Sequence, residues 1–99
     1  MRPSRNQLLI NALGVEVKVR RLELALSQED VAGRCELDRP FITMIESGRK
    51  QPTISVLHRL AGALDLSLGE LCQRVEGRYR AEAAAAAAAA SLSTGRSGR

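Results

Sequence analysis

The chain has 99 residues, 2% of them aromatic, with a formal net charge of +4 and a sequence pI near 9.8. Length implies one domain, and the core must be aliphatic because only one Phe and one Tyr exist to fill it. The charge permits a polyanionic partner without demonstrating one, and no apolar run approaches the ~18 residues of a membrane span. The basic start Met1-Arg2-Pro3-Ser4-Arg5 leads only into Leu8-Leu9-Ile10 before polar Asn11, too short a stretch for a signal-peptide core, so a cytoplasmic protein is expected. Cys35 and Cys72 lack close Cys or His neighbours, which excludes a zinc spacing. Both read as small buried apolar residues, with a redox-sensing pair as the alternative.

Five short helices are predicted between residues 7 and 76. The first covers Gln7 to about Ala25, with Ile10, Leu13, Val17 and Leu24 on one face and Arg21 unexpectedly on the same stripe. Ser27 caps the second, Gln28 to about Arg34, with Asp30 completing a capping-box variant and Val31 and Ala32 buried. Asp38 caps the third, with Pro40 in the first turn, where its missing N–H has no intrahelical partner to lose. That helix runs to Ser47 and stops at Gly48, suited to a left-handed position. Thr53 caps the fourth, expected to bury Ile54, Leu57, Leu60, Ala61 and Leu64. Ser67 and Glu70 form the box for the fifth, Leu68 to about Val75.

From Ala81 onward the composition changes to Ala-Glu, eight alanines and a Ser/Gly/Arg-rich end. Arg80 to Ala90 can extend a helix, but the segment offers little bulk to pack, so 81–99 is read as a flexible C-terminal tail beside a domain over 7–76.

Two helices joined by Cys35-Glu36-Leu37-Asp38 must cross steeply, as in a helix-turn-helix, with Leu37 plugging the corner above Val31, Ile42 and Ile45. Stepping round the third helix by about 100° per residue turns Ile42 and Ile45 inward and places Arg39, Pro40, Thr43, Met44 and Ser47 outward. An outer face of short side chains led by one arginine fits a DNA major groove, which admits one α-helix. The bland reading of this face is an ordinary solvated surface. His58 is a lone histidine on the fourth helix, and nothing resembles a nucleophile–base pair, a phosphate-binding glycine loop or paired catalytic carboxylates, so an enzyme is not expected.

The ordered series Leu26-Ser27-Gln28-Glu29-Asp30-Val31-Ala32, Leu37-Asp38-Arg39, Ile42, Ile45-Glu46-Ser47-Gly48-Arg49, Pro52-Thr53, Leu60-Ala61, Ala63-Leu64 and Leu68-Gly69-Glu70-Leu71 resembles the lambda-repressor-like helix-turn-helix family of phage repressors, Cro proteins and Xre-type regulators. Leu37 to Thr43 also resembles the recognition region of restriction–modification controller proteins. The resemblance implies an all-α, compact five-helix DNA-binding domain regulating transcription, without cofactor or metal. It implies base reading by Arg39, Pro40, Thr43 and Met44, and backbone contact by Gln28, Ser47, Arg49, Lys50 and Gln51. It also implies a structural ion pair between Arg21 and Glu46, and a Gln28 side chain that braces the recognition helix. Arg39 can donate two parallel bonds to guanine, and the Thr43 methyl or Met44 can rest on a thymine methyl.

Four departures from the family pattern stand out. Glu36 and Asp65 replace usual glycines. A left-handed Glu36 would cost roughly 1–2 kcal/mol, so a differently built turn is expected there. Pro40 removes a donor from the reading face, and Arg20 occupies a usually apolar position. The expected partner is double-stranded DNA bound by a homodimer, its half-sites ~34 Å apart, with Leu68, Leu71, Cys72 and Val75 as the candidate subunit surface. The alternative is an antitoxin or adaptor whose main partner is a toxin or another regulator, suggested by Glu36, Pro40 and the acidic residues Glu29, Asp30 and Asp38.

Overall fold

The computed structural model describes residues 5–97, with side chains through Leu92. The basic start at residues 1–4 and the last two residues of the tail lie outside the described residues. Five helices follow one another without a strand among the described residues: α1 Gln7–Glu23, α2 Gln28–Arg34, α3 Arg39–Glu46, α4 Ile54–Ala63 and α5 Leu68–Ser97. Helix α1 lies against both α3 and α5, α2 packs on α3 and α4, and α4 packs on α5.

Each of the first four helices starts on a polar side chain that accepts from a backbone amide of its first turn. These are Asn6 from Leu9, Ser27 from Asp30, Asp38 from Phe41 and Thr53 from Val56. Ser67 does the same for α5 through the Glu70 amide, while the Glu70 carboxylate accepts from the Ser67 N–H. Asn6 is a cap beyond the four expected from the sequence, and an Asn directly before a helical pattern is the usual signal of one. The Asp30 and Glu70 carboxyls are held below the ordinary carboxylate range, because in each case the backbone N–H of the capping serine donates to the charged form.

The ends of α1 to α4 share one design. The residue two past the last helical one turns left-handed, and the amide of the next residue reaches back to a carbonyl five positions earlier: Leu26 to Arg21, Leu37 to Ala32, Arg49 to Met44 and Leu66 to Ala61, all at 2.9–3.0 Å. Only α3 uses glycine for this, Gly48 with φ 75°. The others use Ala25, Glu36 and Asp65, with φ of 56–57°.

Glu36 therefore does adopt the left-handed turn, contrary to the expectation of a different construction. Its surroundings explain the tolerance. Leu37 swings back onto the core, and Arg59 of α4 donates to the carbonyls of Cys35 at 2.7 Å and Glu36 at 3.2 Å. Arg34 returns the favour to α4, donating to the Ala63 carbonyl, and Arg20 donates to the Leu64 carbonyl at 2.9 Å. Arg20 thus ties α1 to the end of α4, which accounts for a charge at a usually apolar position.

The core is aliphatic throughout, with Val17, Val31, Ile42, Ile45, Leu60, Leu64 and Leu71 almost fully buried. Ile54 departs from expectation: it is 66% exposed, because the apolar stripe of α4 runs one turn past the end of the core. Helix α1 ends two residues before the expected Ala25, which instead takes the left-handed position. Gly14 lets α1 cross the end of α3 closely, since a Cβ there would lie 2.5 Å from the Ile45 carbonyl oxygen.

Helix α5 is continuous to Ser97 and does not end near Val75. Gly77 lies within it and costs about 1 kcal/mol relative to Ala, but the helix is held on its far side. Arg78 donates to the Glu16 carboxylate of α1, and the Tyr79 hydroxyl accepts from the Asn6 amide at 3.1 Å. The alanines beyond then continue it by propensity.

Candidate nucleic-acid interface

Helix α3 presents the two faces that its sequence implies. Ile42 and Ile45 are 0% exposed, Phe41 is half-buried, and Arg39, Pro40, Thr43, Met44 and Ser47 all face solvent. Pro40 sits in the first turn, where it breaks no helical hydrogen bond. Arg49, Lys50 and Gln51 are exposed on the loop that leaves α3, and the Lys50 ammonium lies 5.6 Å from the centre of the Phe41 ring.

Behind this face runs a polar relay that fixes α3 against α1 and α2. Arg21 of α1 grips Glu46 of α3 with two parallel bonds, Nε to Oε2 at 2.7 Å and Nη2 to Oε1 at 3.1 Å. Its third nitrogen donates to the Leu26 carbonyl at 2.9 Å. Both side chains are nearly buried, and the bond to Glu46 raises the Arg21 pKa. Gln28, opening α2, continues the relay: its amide donates to Glu46 Oε1 at 3.0 Å, and its carbonyl oxygen accepts from the Thr43 hydroxyl at 2.9 Å. The Thr43 hydroxyl also lies 3.1 Å from the Arg39 carbonyl oxygen, and its single proton serves one acceptor at a time. Thr43 is therefore tied inward by its hydroxyl and offers mainly its methyl outward.

Three contacts in this region are not signalled by the sequence. Glu29 of α2 places its carboxylate 3.7 Å from the Arg39 guanidinium, both side chains being well exposed. Gln7 and Arg5 donate to the Gly48 carbonyl at 2.7 and 3.2 Å, pinning the loop after α3 from the start of α1. A polar residue at a helix start signals a cap or a surface, and no local pattern reveals a partner 41 residues away.

Two groups of positive charge bear on this face. Arg20, Arg21, Arg34 and Arg59 are engaged with helix-end carbonyls or with Glu46, so much of the positive charge serves the fold. Arg39, Arg49 and Lys50 remain exposed on the α3 side. Asp30 and Asp38, which suggested a protein partner, are occupied as caps of α2 and α3.

Of the four residues named as a subunit surface, Leu71 and Val75 belong to the chain's own core, with exposures of 0% and 9%. Their burial leaves them no outward surface, because α5 supplies the wall that closes the core against α1 and α4. Leu68 is half-buried and Cys72 is exposed, a correction to its expected burial. Cys72 lines an apolar groove of about 370 Å³ with Leu9, Leu13 and Leu57. Cys35 is buried, its thiol donating to the Val31 carbonyl, and burial pushes its pKa up, which disfavours the reactive thiolate. His58 is exposed. Among the described residues no group of His, Cys, Asp or Glu has the arrangement of a metal site, and no helix is long and apolar enough to cross a membrane.

The helix-turn-helix family profile matches residues 17–71, from the middle of α1 into α5. The chain belongs to the Xre-type helix-turn-helix family. It is 32% identical to the control protein C.MunI of a Mycoplasma species over 59 residues, which is 60% of this chain and 80% of that protein. Its structure is similar to that of the restriction–modification controller protein C.AhdI from Aeromonas hydrophila, with a TM-score of 0.61 and 31% identity over 63% of this chain and 94% of the other. It is also similar to the controller C.Esp1396I, seen as a tetramer with its natural 35 base-pair operator, with a TM-score of 0.68 and 28% identity over 72% of this chain and 93% of the other.

Proposed function

We propose that the chain is a sequence-specific DNA-binding transcriptional regulator that lays α3 in the major groove. The observation carrying this reading is the exposed row Arg39, Pro40, Thr43 and Met44 on a helix locked from behind by Arg21, Glu46 and Gln28. A rigid helix with short side chains and one bidentate donor suits base reading. Ser47, Arg49, Lys50 and Gln51 then follow the phosphate backbone and supply the salt-dependent part of affinity. Gln28 is given to the relay, which leaves its backbone amide at the start of α2 for phosphate.

The regulator works as a homodimer on a near-palindromic operator, since one helix reads too few bases for strong selectivity. The operator-bound tetramer of C.Esp1396I supports assembly on DNA. The subunit surface is the outer side of α5 around Leu68 and Cys72, next to the apolar groove. Relatives of this kind also support a regulator without catalytic activity, acting in the cytoplasm where its DNA is. Two of the acidic residues behind an antitoxin or adaptor role, Asp30 and Asp38, are occupied at helix starts, which weakens that alternative.

Selection of bound sequences from a random duplex pool tests the reading, and recovery of no preferred sequence overturns it. With a preferred site in hand, Arg39→Ala should cost about 1–3 kcal/mol and relax choice at one base pair. An unchanged base preference in that variant removes Arg39 from the reading face. Sedimentation showing only monomer at high concentration, with and without the selected duplex, removes the dimer.

A further inference from the structure

We infer that Glu29 is a specificity-determining residue that holds Arg39 in the orientation from which it reads its base; this rests on the DNA-reading function proposed above. The four residues at the start of α2 divide their work. Ser27 and Asp30 cap the helix for each other, and Gln28 is bonded to both Glu46 and Thr43. Glu29 takes no part in either arrangement, and among the described residues its one ion pair is with Arg39, Oε1 to Nη1 at 3.7 Å.

On the reading face Arg39 carries the burden of donation. Pro40 has no N–H, Met44 has no donor, and the Thr43 hydroxyl is directed to Gln28 or to a backbone carbonyl. Discrimination therefore concentrates in one long, flexible side chain, whose rotamer freedom must be lost on binding a base. A carboxylate beside the guanidinium restricts that freedom before binding.

Glu29 also repels phosphate. A carboxylate at the DNA-facing end of α2 weakens binding to every sequence, because phosphate contact is the sequence-independent part of affinity. Holding Arg39 acts only on the sequence that offers Arg39 its base. The two effects together lower background binding and preserve the specific complex, which widens the ratio between them. An exposed pair of this length carries at most about 1 kcal/mol, equivalent to about five-fold in an equilibrium constant.

The test uses the full chain, its selected duplex, the duplex changed at the base pair that Arg39 reads, and an unrelated duplex. For Glu29→Gln we expect tighter binding to the unrelated duplex by about two- to five-fold and a similar-sized fall in the ratio of selected to changed duplex. Glu29→Asp should recover part of that ratio. In the Arg39→Ala background, Glu29→Gln should still raise binding to unrelated DNA but leave the ratio unmoved. A uniform gain on all three duplexes, with the ratio unchanged in the wild-type background, assigns Glu29 to phosphate repulsion alone and overturns the proposal. A wild-type chain without a preferred duplex overturns the DNA-reading function itself, which separates the two failures.

Discussion

Arg21 shows at the level of one residue how a charge comes to sit on an apolar stripe. Its stem lies among core residues of α1, while its three nitrogens are all satisfied by Glu46 and the Leu26 carbonyl. Such a pair contributes less to stability than its geometry suggests, because desolvation offsets much of the attraction; breaking it is what costs. Glu46→Ala leaves the Arg21 charge nearly buried without its partner, and urea unfolding should show a loss of about 3 kcal/mol. The double variant Arg21→Met, Glu46→Leu should recover most of that loss, since buried pairs are often replaced by packed apolar residues without penalty. It should still bind DNA less selectively, as Gln28 loses its anchor and Thr43 its orientation. A double variant as unstable as the single one would mean that the pair itself supplies net stability.

At the level of the helix, starts and ends were unequally visible in the sequence. A start is announced by one local residue, so Ser27, Asp38, Thr53 and Ser67 could be read directly, as could the stop at Gly48. An end built on a non-glycine left-handed residue carries no such mark. Ala25 gives no hint of it, and Glu36 argues against it, because the forces that hold it arise elsewhere: a leucine returning to the core and the guanidinium of Arg59 from another helix. The same limit applies to the site. The outward row of α3 follows from periodicity, whereas Glu29 and Gln7 meet their partners only once the helices are packed. The strain at these ends can be relieved. Glu36→Gly and Ala25→Gly each remove a left-handed penalty of roughly 1–2 kcal/mol against an added unfolded-state entropy of roughly 0.4–1 kcal/mol. Each should therefore stabilise the chain by about 0.5–1 kcal/mol in urea unfolding. Asp65→Gly should give less, since Asp tolerates the conformation better. A loss of stability in Glu36→Gly would show that the Glu36 side chain has a favourable role outweighing its strain.

For the whole molecule, composition and packing put the end of the folded unit at different points along α5. Composition places the boundary near residue 76, because bulky residues give way to alanine soon after. The packing places it a full turn later. Arg78 neutralises Glu16, which is only 7% exposed, and Tyr79 rests half-buried against the core while its hydroxyl accepts from the cap of α1. From residue 84 through Leu92 the side chains are exposed, so that part of the helix adds length without burial. A chain ending after Ala84 should then melt within a few degrees of the full chain, while one ending after Glu76 should lose about 3 kcal/mol from an unpaired Glu16 and an absent Tyr79. For a domain of this size that loss lowers the melting midpoint by on the order of 10–20 °C. The comparison is made by thermal unfolding at several protein concentrations. If removing 85–99 lowers the midpoint more at high concentration than at low, the alanine segment joins subunits, and the unit that folds is larger than one chain.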